Sequence, residues 1–371
     1  MKKIFLVSLI SLLFLFSSNQ HSVGAERPNR VQLAILLDTS GSMEGLIEQA
    51  KTQLWKMVNE LARASKSGKG INLEVALFEY GKDSIPEDEG YLRMISSFTT
   101  DLDKISDELF KLRTNGGDEY CGEVIRSAVK NLKWSADNEN LKIIFIAGNE
   151  PFTQGEINYK TSCNKASSKG IIVNTIFCGD YHEGISTKWK DGADLADGRY
   201  MNIDHNQKIV HIDAPQDKKL IELGTELNST YIGYGSMGKA KKTMQEVQDE
   251  NAMLIDSEVM VQRSVAKGSG QYRNSSWDLV DATTEGEVDI ENLSENELPL
   301  EMQKMTMEEK KKYVAEKVEK RGLIQKEITE LNEARRKYVA EKTLKMDDIT
   351  LDVVMVKAIK EQAEAKNFIF K

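Results

Sequence analysis

Short, nearly unbroken apolar runs alternate along this chain with stretches whose apolar residues recur every three or four positions. Residues 31–37 (Val-Gln-Leu-Ala-Ile-Leu-Leu) predict a buried strand. Residues 44–64 then place Leu46, Ile47, Ala50, Leu54, Met57, Val58 and Leu61 at helical spacing, which predicts an amphipathic helix. Further strands are predicted at 71–80, 141–147 and 171–178, with a short edge strand at 92–98 behind a charged loop. Helices are predicted at 101–112, 123–134, 156–168, 216–227 and 239–255. Residues 199–204 and 208–213 read as a strand pair, and 230–234 as one more short strand. Apolar strands separated by helices imply a mostly parallel, Rossmann-like α/β sheet with helices on both faces. In such a sheet the binding site lies at the carboxyl ends of the strands.

The pattern changes after about residue 256. Residues 264–276 are rich in Gly and Ser and read as a linker or loop, and 278–301 is acidic. Residues 308–345 are dense in Glu, Lys and Arg, with Val314, Val318, Ile324, Ile328, Leu331, Tyr338 and Val339 at spacings mostly of three and four. This predicts a helix, or a helical hairpin broken near Gly322. Arg321 and Arg335 fall in the apolar seam, which argues against a coiled coil. One more helix is expected at 351–366. The expected division is a leader at 1–25, an α/β domain at 30–250, a linker and acidic segment at 251–300, and a mainly α-helical C-terminal region at 301–371.

The first 25 residues read as an export signal. Lys2 and Lys3 precede a mostly apolar run at 4–16, and Val23-Gly24-Ala25 offers small residues for cleavage. A spanning helix needs about 20 residues, so this run is short for an anchor. The expectation is an exported chain, periplasmic or secreted, with no stable membrane insertion after cleavage. With 371 residues, 40% apolar and 29% charged, the chain is ordinary for a globular protein of about two domains. A formal charge of −9 argues against general nucleic-acid binding, because phosphate affinity comes largely from Lys and Arg.

The most informative stretch is Asp38-Thr39-Ser40-Gly41-Ser42, where a buried strand ends and a helix begins. One carboxylate and two hydroxyls are hard oxygen ligands, suited to Mg²⁺ or Mn²⁺, with Ca²⁺ a further option. The plainer alternative is a polar turn with Ser42 as helix cap. A strand followed by D-x-S-x-S resembles the von Willebrand factor A family and its metal-ion-dependent adhesion site, and the order of elements extends the resemblance over roughly 30–250. The family's second metal loop corresponds to residues 114–123, where Asp118 with Glu123, or Thr114, is the expected contributor. The third loop normally carries an Asp after the central strand. Here that position is Gly148, with Asn149 and Glu150 as possible substitutes. The resemblance implies a binding protein and no enzyme. The metal, held by Asp38, Ser40, Ser42 and residues among Thr114, Asp118 and Glu123, would be completed by a carboxylate of a protein partner, as in adhesion. The alternative is a metal-free scaffold, with self-association through the C-terminal helices.

Three cysteines in an exported chain suggest one disulfide and one free thiol. Cys121–Cys178 is favoured, since both should lie at the carboxyl edge of the sheet, while Cys163–Cys178 stays open. A catalytic Cys121 lacks a supporting His motif. Residues 180–198 read as an irregular insertion bordering the ligand face. His182, His205 and His211 show no metal-site spacing, and no Walker A, G-x-S-x-G or G-x-G-x-x-G motif occurs.

Overall fold

A computed structural model describes residues 29–203, 211–343 and 351–370. The leader therefore lies outside the described residues, as do residues 208–210 of the expected 208–213 strand, while 211–213 form no strand. In chain order the elements begin with β1 (Asn29–Asp38), α1 (Glu44–Ala62), β2 (Ala64–Lys66), β3 (Lys69–Tyr80) and β4 (Leu92–Thr99). There follow α2 (Leu102–Lys111), α3 (Cys121–Asn131), β5 (Leu141–Gly148), α4 (Tyr159–Ser168) and β6 (Ile172–Cys178). Then come α5 (Tyr181–Ser186), α6 (Trp189–Asp194), β7 (Tyr200–Ile203), α7 (Asp217–Asn228), α8 (Gly238–Ile255) and α9 (Ser257–Lys267). The chain closes with α10 (Leu279–Thr284), α11 (Leu300–Gln303), α12 (Met307–Thr343), α13 (Leu351–Glu364) and β8 (Ile369–Phe370).

The sheet runs β7-β6-β5-β1-β3-β2-β8, with β4 also paired to β3. The strands from β7 to β3 are mutually parallel, whereas β4, β2 and β8 join antiparallel. Alternate residues of each strand enter different cores, as the period of two requires. Leu33, Ile35 and Leu37 with Ile143 and Phe145 face the first core, covered by α1, α2, α7, α9 and parts of α12 and α13. Ala34, Leu36, Ile144 and Ile146 face the second core, covered by α3 and α4. In α1 the apolar stripe is buried except for the half-buried Ala50, and burying each Leu, Ile or Met contributes roughly 1.5–3 kcal/mol. Register aligns the strand ends that matter: Asp38 lies opposite Tyr80, and Leu37 opposite Ala147.

The structure refines the sequence reading of the C-terminal region in three ways. Residues 264–267, expected in a linker, form the last turn of α9 and are buried against the α/β body. Of the 308–345 stretch, the described residues as far as Thr343 form one unbroken helix across Gly322, where an added Cβ would meet open space. A helical Gly costs about 1 kcal/mol, and its neighbours outweigh that. Ile324 enters the first core, and Arg321 is held by Asp278, Asp281 and Thr230, its guanidinium 4.0 Å from the Tyr231 ring centroid. Arg335 is likewise buried, against Asp217 and Glu258. The two arginines that break the heptad therefore face inward and pair with acids of other segments. Third, the last strand β8 adds to β2, extending the sheet. Residues 230–234 form only an isolated bridge, Gly233 to Asp278.

Candidate functional site

The end of β1 delivers Asp38 to the carboxyl edge, fully buried, with Ser40 buried and Ser42 exposed in the turn before α1. The Ser40 amide donates to Asp38 Oδ1 at 2.7 Å, which fixes the carboxylate. Ser42 does not cap the helix: the cap position is Met43, without a side-chain bond. The Ser42 hydroxyl instead lies 3.4 Å from Ser40 Oγ and accepts from Asn149 Nδ2 at 3.2 Å. The turn is thus tied to its own residues and to the loop after β5.

The second loop crosses over the first. The Asn115 amide donates to the Thr39 carbonyl at 2.9 Å, and the Asp83 amide donates to the Gly116 carbonyl. This crossing aims Glu119, not Asp118 or Glu123, at Asp38. Glu119 is almost wholly buried, with its carboxylate beside Ser40 and Asp38. Gly81, at φ +76°, makes room: an added Cβ would stand 2.7 Å from Glu119 Cγ and 2.8 Å from Asp38 Oδ1. Asp118 is exposed on the loop. Glu123 pairs with Arg126 and packs against Gly90, where a Cβ would lie 2.7 Å from Glu123 Cγ. Thr114 is half-buried beside the crossing, with its neighbour Asn115 bonded to the first loop.

The third loop explains Gly148. An added Cβ there would fall 2.5 Å from the Tyr80 hydroxyl and 3.0 Å from Asp38 Oδ2. Tyr80 donates to the Ala147 carbonyl at 2.9 Å, so its hydroxyl fills the space beside residue 148. Asn149 and Glu150 follow at the rim. Gln154 bridges the loops, accepting from the Glu119 amide at 3.0 Å and donating to Glu150 at 3.3 Å. The expected irregular insertion at 180–198 contains α5 and α6, and the buried Trp189 indole donates to the Glu150 carbonyl at 2.8 Å.

Burial pushes the Asp38 carboxyl well above its ordinary range, and the Glu150 charge adds to this. Burial and the Asp38 charge push Glu119 up likewise. Three side-chain oxygens here are buried without a hydrogen-bond partner: Asp38 Oδ2, Glu119 Oε2 and Asn149 Oδ1. Unpartnered buried acceptors are costly, and two facing carboxylates more so. A hard divalent cation would satisfy such a set of carboxylate, hydroxyl and amide oxygens. Among the described residues no group of three or more His, Cys, Asp and Glu could hold a metal, so any site here is of this mixed kind. Glu119 lay inside the stretch singled out from sequence, but its spacing from the Gly-Gly turn did not mark it.

All three cysteines are buried and free. The favoured Cys121–Cys178 bridge is not formed, because Cys178 faces the first core and Cys121 the second, across the sheet. Burial also pushes the Cys121 thiol far up, which opposes the thiolate a nucleophile needs. His182 is exposed on α5, and His205 lies outside the described residues.

Residues 32–187 match the family model of the von Willebrand factor type A domain. This chain carries a von Willebrand factor type A domain. The matched stretch runs from β1 through α5 and contains all three loops just described. Among solved structures, the conserved hypothetical protein BatB from Bacteroides thetaiotaomicron is 17% identical, over 47% of this chain and 90% of that one, with a TM-score of 0.36. The SpRpn10 von Willebrand A domain is 15% identical, over 49% and 99%, at 0.35. A von Willebrand A protein from Catenulispora acidiphila is 14% identical, over 47% and 39%, at 0.36. No curated protein matches the chain. The von Willebrand A fold commonly mediates protein–protein interaction, and its members are generally binding or scaffold modules. Among the described residues no helix is long and apolar enough to cross a membrane.

Proposed function

We propose that this von Willebrand A domain holds a divalent cation at the carboxyl edge of its sheet and binds a carboxylate of a protein partner through it, outside the cytoplasm. The observation that carries this reading is the trio of buried, unpartnered oxygens on Asp38, Glu119 and Asn149, set beside the hydroxyls of Ser40 and Ser42. Asp38, Ser40, Ser42 and Glu119 would hold Mg²⁺ or Mn²⁺. In this reading Glu119 takes the part that the family resemblance gave to Asp118, Glu123 or Thr114. The cation would supply a positive charge able to attract an anionic group to an otherwise acidic protein. Export draws on the leader-like first 25 residues alone.

Calorimetric titration of metal-stripped protein tests the reading. The expected result is one equivalent of Mn²⁺ bound, with Asp38→Ala and Glu119→Gln each abolishing the heat. Absence of binding in the wild type would overturn it. That outcome would favour the second reading, a metal-free scaffold in which a proton shared by the raised Asp38 and Glu119 carboxyls neutralises the site.

A further inference from the structure

A groove of about 670 Å³ runs between α3 and α4 on the second-core side of the sheet. Buried Val129 lies in its floor beside the polar Thr161, Asn164 and Ser168, and Arg126, Lys130, Lys165 and Lys169 rim it, Arg126 paired with Glu123 and Lys169 donating to the Val129 carbonyl. Lys130 and Lys165 are exposed and have no acidic partner among the described residues. On a chain of formal charge −9 this is a surface with two such unpaired lysines.

The counterpart lies elsewhere on the same chain. From residue 274 to 303 there is no Lys or Arg, and Glu285, Glu287, Asp289, Glu295, Glu297 and Glu301 are all exposed. This acidic lobe packs on α12 through a third core that includes Leu298 and Met302. Between those two sunken residues Leu300 is held outward, 80% exposed. The lobe joins α12, which packs with α7 and α9 on the first-core side of the sheet, so groove and lobe sit on elements that cover opposite faces.

We propose that the α3–α4 groove binds the acidic lobe of a second copy of this chain, with Leu300 entering over Val129 and the lobe carboxylates meeting the lysine rim. An apolar knob in a charged ring is the arrangement that gives an interface both its anchor and its register. Because the two surfaces differ, the contact is heterologous. A dimer leaves one groove and one lobe open between its two copies, so assembly continues beyond it. This does not depend on the metal site.

Sedimentation velocity on residues 26–371, which include every described residue, provides the test. Wild-type mass should grow with concentration at low ionic strength and fall to monomer at high ionic strength. Lys130→Glu with Lys165→Glu should be monomeric, as should Glu295→Lys with Glu301→Lys, each with an unchanged thermal melt. An equimolar mixture of these two variants retains one working groove and one working lobe, so it should associate where neither variant does alone. A wild type that stays monomeric at every concentration overturns the proposal, even if its groove binds a polyglutamate probe, which would assign the groove to a foreign acidic partner. Association that survives either pair of reversals also overturns it.

Discussion

Gly148→Ala perturbs the point where the three loops converge. The new methyl carbon would stand 2.5 Å from the Tyr80 hydroxyl and 3.0 Å from Asp38 Oδ2, with both neighbours fully buried. Overpacking of this kind costs about 1–3 kcal/mol. Tyr80→Phe alone should also destabilise, by about 1–3 kcal/mol, because the Ala147 carbonyl loses its donor. Combined, the two changes should cost less than their sum by about 0.5–3 kcal/mol, since removing the hydroxyl removes the clash. Gly148→Asp restores the residue type usual for the family, yet it should be worse than Gly148→Ala, because it adds a third carboxylate beside Asp38 and Glu119. Urea denaturation measures each, with the midpoint moving and the slope held. Gly148→Ala within about 0.5 kcal/mol of wild type, or strict additivity with Tyr80→Phe, would refute the claim that Tyr80 occupies the space of a 148 side chain.

Other expectations follow from the buried charges and thiols. Arg321→Met leaves Asp278 buried and uncompensated, so urea unfolding should show a loss of about 3–5 kcal/mol. Burial alone would raise the Asp249 carboxyl, but Arg263 and Lys267 beside it outweigh this and hold it below its usual range. The folded state therefore binds fewer protons there than the unfolded state. The stability it contributes is present above the unfolded value of about 4 and is lost as pH falls through the folded one, so Asp249→Asn should flatten the acid limb of a stability–pH curve. A thiol reagent should label none of the three cysteines in the native chain and all three in denaturant; one reactive thiol after unfolding would mean a disulfide exists.

The sheet was legible because its strands are contiguous and apolar, and Asp38, Ser40 and Ser42 were legible because one turn carries them all. Glu119 was not, because the approach of Gly81 and the crossing of residues 115–117 decide which acid of the second loop faces inward, and both are non-local. The cysteine pairing failed on strand parity: Cys178 shares its face with Ile176 in the first core, a fact that edge position alone conceals. Arg321 and Arg335 looked like defects in a helical stripe because their partners, Asp278, Asp217 and Glu258, lie far away in sequence. The same non-local pairing binds the C-terminal helices to the α/β body, where composition suggested a linker.

If the oxygens around Asp38 form a cation site, a thermal melt of the metal-stripped chain responds to added Mg²⁺ or Mn²⁺. Binding to the folded state alone stabilises by about 2.7 kcal/mol at a hundredfold excess over the dissociation constant. The expected result is a metal-dependent rise in Tm that Asp38→Ala and Glu119→Gln both abolish, while Glu123→Gln leaves it intact. No rise at millimolar metal, or a rise that survives Asp38→Ala, would contradict it.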